Sequence, residues 1–428
     1  MEHLLFAAYL ILFAWLVTKV KIFKNSGLTS SQLIIVFLLK VMAGIFYGWI
    51  GVYYGEMAQM VDTWAYHYES IMEYRLLQND PAEFFQSLFR NTYEDGYAKF
   101  FSTDNSWWND LKGTFFIKII ALFNLLSFGN YYTNVIFYSF ITLFGVVGIF
   151  RIMKDIFPKN VIAVLLATFL VPSFIYWTSG LHKDGLIFLG ISMIAYHFYF
   201  GFKEGRFPFY RVVLILIGFL MILALRNFLV ITIIPGIVAW ILAQKMKYRP
   251  VYVFAGVYLL FIIFFFTAKF IHPKLDFPDA VAVKQQEFMK LKGGGSTVEV
   301  TAIEPTITSF VLNFPQALSL TAVRPYPSDV RHLLSLAAAT EINLLLLFFI
   351  LFLFLRTHGT KLSPFMLFCI FFSFSVLLMI GYTVNVLGAI VRYRAIVLPF
   401  LIVPMMAMIN WQKINKLIFG NIENKNNV

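Results

Sequence analysis

The sequence is poor in the residues that most chemistries need. A single cysteine, Cys369, lies inside an apolar run, which excludes a disulfide framework and a cysteine-based metal site. Charged residues are only 13% of the 428 positions, too few to clothe a soluble protein of this size. The chain contains no G-x-x-x-x-G-K-[ST], H-E-x-x-H, G-x-S-x-G or dinucleotide fingerprint, and the Gly293 to Gly295 run precedes no helix that would hold phosphate. His67, His182, His272 and His332 lack ligand spacing, so no metal site is assigned, although a divalent metal is not excluded. No internal repeat, heptad pattern or free-standing soluble domain is found. Residues 3–23 are too long for a signal-peptide core, lack a basic leading segment and show no clear cleavage motif, so they read as a spanning helix.

What the chain has in abundance is apolar length. It is 60% hydrophobic, in repeated runs of roughly 20 residues, enough to cross ~30 Å of hydrocarbon as helix. This predicts an all-α polytopic membrane protein, one integral-membrane domain over 1–428, with about 11 transmembrane helices. The spans fall near 3–23, 32–54, 131–152, 160–178, 185–201, 211–225, 227–243, 251–271, 333–355, 363–385 and 391–411. The 50 Phe and 22 Tyr suit lipid-facing helices and interfacial belts.

Lys19, Lys21 and Lys24, then Arg151, Lys154 and Lys159, then Lys203, Arg206 and Arg211, fall in alternate short connections. So do Lys245, Lys247 and Arg249, then Arg356 and Lys361, and finally Lys413, Lys416 and Lys425. By the positive-inside rule these connections are cytoplasmic, which puts the N-terminus outside and the C-terminus inside. The rule accounts for about half of the basic residues, so the net charge of +12 needs no nucleic-acid partner.

Two long connections, 55–130 and 272–332, then lie outside. The first holds the apolar run 113–128 with Lys118, read as an interfacial or re-entrant helix, because a crossing there would turn later basic loops outward. The second holds an amphipathic piece from Lys284 to Lys292, a flexible joint at Gly293 to Gly295, and V-E-V-T-A-I as a possible short strand. Pro305 to Pro327 is apolar enough to lie against the membrane surface.

Polar residues at depth in a bilayer need partners or a task. The densest group is W-T-S-G-L-H-K-D-G-L, residues 177 to 186, where Lys183 and Asp184 stand at the start of a span with His182 beside them. Asp184 suits a helix start, whereas Lys183 there is electrostatically misplaced unless an anion sits nearby. Arg226, Arg392 and Arg394 occupy short connections or span ends on the outer side, and Arg324 joins them from a long loop. Each of these cations either snorkels to lipid phosphate or contributes to one shared site. Asp62 follows the second span, and Tyr66, Glu69 and Glu73 share one helix face at spacings of three and four, either lining a cavity or forming a solvated acidic face. Buried charges inside spans, which a proton-coupled transporter needs, reduce to Lys40, Lys269 and Glu341, the last read as a structural hydrogen bond to a neighbouring helix. Guanidinium and ammonium groups bind phosphate and stabilise one that departs, and a carboxylate nearby can take the proton of an attacking hydroxyl. Together these features describe group transfer from a lipid-linked phosphate donor.

With D-T-W-A-Y-H-Y in its first long outer loop, the chain resembles the multispanning glycosyltransferases of the C-type fold, while S-G-L-H-K-D-G-L and the late R-Y-R-A-I-V-L-P-F are similar to segments of relatives near those enzymes and the O-antigen and capsule polymerases. The C-type enzymes use polyprenyl-phosphate-linked sugars, and the O-antigen and capsule polymerases are similar to them. The matching motifs total about thirty residues, and a single D-T-W stands where the family has a paired Asp-Glu. The resemblance implies that Asp62 is the catalytic base, with Glu69 in reserve, and that Lys183, Arg226, Arg324, Arg392 and Arg394 bind the lipid phosphate. His182 and Asp184 would orient these groups.

The function expected is therefore transfer of sugar from a polyprenyl-(di)phosphate donor to a saccharide or lipid-linked acceptor, at the outer face of a bacterial inner membrane. The alternatives are a lipid-linked saccharide flippase, which needs no base, and a non-catalytic partner of a polysaccharide assembly machine.

Overall fold

The computed structural model describes residues 2–53, 61–91, 107–291, 295–357 and 362–419. Lys292 of the expected amphipathic piece, Gly293 and Gly294 of the expected joint, and Lys361 and Lys425 of the expected basic loops lie outside the described residues. The first helices are α1 (Glu2–Lys19), α2 (Lys21–Lys24), α3 (Ser30–Tyr53), α4 (Val61–Asn79), α5 (Pro81–Gln86), α6 (Trp107–Ser127) and α7 (Tyr131–Ile156). Next come α8 (Val161–Phe169), α9 (Pro172–Ser179), α10 (Lys183–Glu204), α11 (Phe209–Leu225), α12 (Phe228–Lys245) and α13 (Pro250–Thr267). The chain continues through α14 (Phe277–Lys290), α15 (Ile307–Ala322), α16 (Leu333–Leu355), α17 (Pro364–Thr383), α18 (Leu387–Ala395), α19 (Leu398–Met408) and α20 (Trp411–Phe419).

Eight of these helices are long and apolar enough to cross a bilayer, and the number rises to ten if each of two bent pairs is one span. That is the architecture of a polytopic membrane protein. The bent pairs are α8 with α9, at 50°, and α18 with α19, at 65°. Proline supplies the breaks. Pro172 opens α9, and Pro399 lies in the first turn of α19, positions where proline is tolerated but where the preceding helix cannot run on. The run at 211–225 is α11, whose 17 residues reach only about 25 Å, so the expected eleven is not met by length and composition. The other ten expected spans correspond to the eight long helices and the two bent pairs.

Apolar side chains face outward along the long helices, as with Leu4 and Ile11 on α1, Leu259 and Leu260 on α13 and Phe354 on α16, an exposure that suits lipid. Burial from water cannot drive such helices together inside a bilayer, so close packing must. At the α10–α11 contact a Cβ on Gly190 would stand 3.0 Å from the Gly218 carbonyl oxygen, and one on Gly218 would stand 2.7 Å from that of Gly190. The two backbones meet directly. Further along, Phe202, Trp240, Phe365 and Phe368 interlock at tilted angles, tying α10, α12 and α17 together.

Two expectations for the outer connections change. V-E-V-T-A-I forms no strand: Val298 N donates to Asn385 O at 2.8 Å and Leu387 N to Ser296 O at 2.9 Å, which leaves an extended segment bridged to the start of α18. The amphipathic piece is α14, which begins seven residues before Lys284 and ends at Lys290. Within Pro305 to Pro327, the helix α15 packs against the span α17, with Tyr382 Oη donating to Phe310 O at 2.9 Å. The run 113–128 belongs to α6, a continuous helix of 21 residues that is not among the candidate spans and packs on α4, α7 and α11.

Candidate functional site

The site gathers where α3, α9, α17 and α11 end and where α7, α10 and α12 begin. Its centre is the turn Gly180 to Asp184 between α9 and α10. Tyr138 on α7, fully buried, donates its hydroxyl to His182 O and accepts from Leu186 N at 3.2 Å. Lys40 on α3 donates to Thr178 O at 2.6 Å and to Ser179 Oγ at 3.1 Å, a cation on the carbonyl end of α9 where the helix dipole favours one. Thr63 Oγ1, next to Asp62, donates to Leu181 O at 3.0 Å and so ties α4 to the same turn. The glycines have a steric cause: a Cβ on Gly180 would lie 2.1 Å from the Tyr47 ring, and one on Gly185 would lie 2.5 Å from Tyr138 Oη.

This turn presents His182 and Asp184, both buried, to Arg392 on α18. Arg392 Nε donates to Asp184 Oδ2 at 3.1 Å, Nη1 to Asp62 Oδ2 at 3.3 Å, and Nη2 to His182 Nε2 at 2.6 Å. A guanidinium has only donors, so Nε2 is the accepting nitrogen and Nδ1 carries its proton toward Asp184 Oδ2, 2.8 Å away. Arg226, in the link between α11 and α12, approaches the other Asp184 oxygen at 2.9 Å and stacks 4.2 Å from the Tyr393 ring. One buried carboxylate thus faces two guanidinium groups and an imidazole. Burial alone would raise the half-exposed Asp62 carboxyl, but the positive charges of Arg392, 3.3 Å away, and of Lys183 more than offset this and hold it at about 2.

Beside this cluster lies a cavity of about 200 Å³. Lys112, Lys183, Arg226, Lys284 and Arg392 line it, and among the described residues no carboxylate does. Phe228, Phe265, Phe277, Phe288 and Met379 are the bulkiest part of its apolar lining. Burial and the charges of Lys284 and Arg226 push Lys112 down to about 8, and burial lowers Lys284 too. These cations crowd one another, which an entering anion would relieve. A second cavity, of about 660 Å³ and mostly apolar, lies beyond Trp177 between α3, α9, α16 and α18.

The structure therefore unites Asp62, His182, Lys183, Asp184, Arg226 and Arg392. It does not bring in the remaining candidates. Glu69 is exposed two turns along α4 from Asp62, and Glu73 pairs with Lys118 at 2.6 Å. Arg324 lies 3.9 Å from Asp329 and stacks over Tyr326, while Arg394 is buried and donates to Thr321 O at 3.1 Å and to Arg324 O. Among the described residues no group of three or more His, Cys, Asp or Glu side chains is placed to hold a metal ion, and Arg392 occupies the space between the carboxylates. Lys112 and the placement of Lys284 were missed from sequence. Their signal was position: each lies in one of the two long connections, among aromatic residues.

A scan against protein-family models and searches of curated proteins and solved structures find no match to the chain. Fold and site alone define the class: a polytopic membrane protein with a buried Asp-His-Arg cluster beside a cation-lined cavity at one end of its helices. The far end carries the Lys203–Asp155 pair at 2.6 Å.

Proposed function

We propose that this protein is a membrane glycosyltransferase or polysaccharide polymerase. It moves sugar from a polyprenyl-(di)phosphate-linked donor to an acceptor hydroxyl, at the extracytoplasmic face of a bacterial-type inner membrane, in cell-surface polysaccharide or glycan synthesis. The observation that carries this reading is the cavity, in which five cations and no described carboxylate meet an apolar wall beside a carboxylate-bearing cluster. Phosphate suits the cations, whose hold on it is strengthened where water is scarce, and an isoprenoid chain suits the phenylalanines. The orientation rests on the alternation of Lys and Arg in the short connections.

In the mechanism the acceptor oxygen attacks the anomeric carbon while the bond from that carbon to the phosphate oxygen breaks. The electron pair leaves with the phosphate, whose growing charge Lys183, Arg226 and Arg392 stabilise. The acceptor proton passes to Asp62. At rest Asp62 is a weak base, held near 2 by its neighbours. Arg392 both lines the cavity and grips Asp62, so a donor phosphate that draws Arg392 away frees the carboxylate and raises its basicity. Base strength thereby follows donor occupancy. Asp184 and His182 keep Arg392 and Arg226 aimed.

The test is Asp62→Asn in purified protein in lipid nanodiscs supplied with a lipid-linked sugar donor and an acceptor. Turnover should fall by about 10²–10⁴ while donor binding persists, the range for loss of a general base. The low basicity of Asp62 at rest is the observation that favours a flippase instead, where Asp62 serves only to hold Arg392. In that case Asp62→Asn leaves transport close to wild type, and no transfer product forms with either protein.

A further inference from the structure

We infer that the cation-lined cavity selects a lipid diphosphate over a lipid monophosphate. This rests on the reading of that cavity as a lipid-phosphate site. Charge sets the preference. Of the five cations, Arg226 and Arg392 contact Asp184, Arg392 also contacts Asp62, and Lys284 lies 3.4 Å from Glu287. Three carboxylates thus stand against five cations, an excess of two positive charges. Asp110, two residues from Lys112, is exposed and outside the lining.

The excess falls on Lys183 and Lys112, for which no carboxylate lies within ion-pair distance among the described residues. They come from different elements, the start of α10 and α6, and are near enough for their charges to act on each other. Lys183 stacks 4.9 Å above the Tyr66 ring on the side of Asp62, whereas Lys112 lies with Lys284 and Arg226. The cavity therefore offers two anion positions. An inner one is framed by Lys183 and Arg392 and an outer one by Lys112 and Lys284, with Arg226 between them. A sugar-diphosphate-lipid diester carries two negative charges and spans both positions; a sugar-phosphate-lipid diester carries one and leaves the outer cations crowded.

The experiment titrates the protein in nanodiscs with farnesyl phosphate and farnesyl diphosphate, each methyl-esterified at its terminal phosphate so that they carry one and two charges as the sugar-linked diesters do, and with inorganic diphosphate, each by microcalorimetry. Farnesyl diphosphate should bind at least about tenfold more tightly than farnesyl phosphate, the gain of one further charge-assisted contact. Inorganic diphosphate should be weaker than farnesyl diphosphate by a similar factor, since it leaves the phenylalanines uncovered. Lys112→Gln should bring the ratio between the two farnesyl ligands toward one, and Lys112→Arg should keep it. Equal affinity of wild type for the two farnesyl ligands overturns the inference and leaves the lipid-phosphate reading standing. No binding of either farnesyl ligand overturns both. Inorganic diphosphate binding as tightly as farnesyl diphosphate removes the lipid from the assignment.

Discussion

Asp184→Asn changes one charge and almost no volume, and the structure makes it the most damaging single change in the cluster. The carboxylate is 1% exposed, with Arg226 at 2.9 Å, Arg392 at 3.1 Å and His182 Nδ1 at 2.8 Å. Each guanidinium attraction is about 4 kcal/mol at 4 Å in an effective dielectric of about 20. Against this stands a desolvation cost of several kcal/mol per ion, so the intact cluster contributes little net stability. Removing the carboxylate is different, because two buried guanidinium groups lose their shared counter-charge while their desolvation cost remains. Loss of one partner from a buried pair costs about 3–5 kcal/mol, and the two stranded cations here place Asp184→Asn in the upper half of that range. SDS-induced unfolding, followed by tryptophan fluorescence, measures the change. The double variant Asp184→Asn, Arg226→Gln restores charge balance and should fall short of additivity by about 1–3 kcal/mol. An Asp184→Asn protein within about 1 kcal/mol of wild type, or a strictly additive double variant, refutes the ion-paired geometry.

A Cβ at residue 44 would meet Ser179 O and Val135 Cγ1, both at 2.5 Å, so Gly44→Ala should push α3 off the turn and cost about 1–3 kcal/mol in the same unfolding assay. Lys40→Met strips Thr178 O and Ser179 Oγ of a buried donor, with an expected loss of about 1–3 kcal/mol, and an unchanged midpoint would deny Lys40 its place at the end of α9. Lys112, lowered to about 8, is mostly charged at pH 7 and mostly neutral at pH 9, and an anion binds its charged form. Farnesyl diphosphate affinity should therefore fall as pH rises across that interval, and a flat profile would remove Lys112 from the site. In a Cys369→Ala background, Lys112→Cys should react with an impermeant maleimide added to intact cells and Lys247→Cys only after permeabilisation; the reverse pattern would invert the orientation.

The helices were legible because apolar length is a coarse property that survives local error, and the two breaks were missed as breaks because the Pro172 and Pro399 positions sit inside otherwise apolar runs. The polar turn at 177–186 was legible for a related reason: Lys183 and Asp184 interrupt a bilayer-length pattern, and each demands a partner. Sequence does not say which partner. Arg392 meets Asp184 across 208 positions and Asp62 across 330, separations at which one chain carries no pairing signal.

Arg392 and Arg394 show where local geometry was available and decisive. In an α-helix, residues two apart project to nearly opposite sides, so R-Y-R could not aim both guanidinium groups into one site. The structure follows that rule: Arg392 turns to Asp184 and His182, Arg394 turns to the end of α15, and Tyr393 between them stacks on Arg226. On α4, where Asp62 and Glu69 are seven residues apart and share a face, distance along the axis separates the candidates. Thr63 lies buried against Leu181 O and fixes Asp62 at the edge of the cluster, whereas Glu69 lies beyond it in the exposed part of the helix. Counting outward cations therefore overstated the site by two, Arg324 and Arg394, and understated it by two others, Lys112 and Lys284, which the amphipathic helices α6 and α14 bring to the cavity. A membrane protein spends few charges on its interior, and the side of the helix that each one occupies assigns it to the site or to the scaffold.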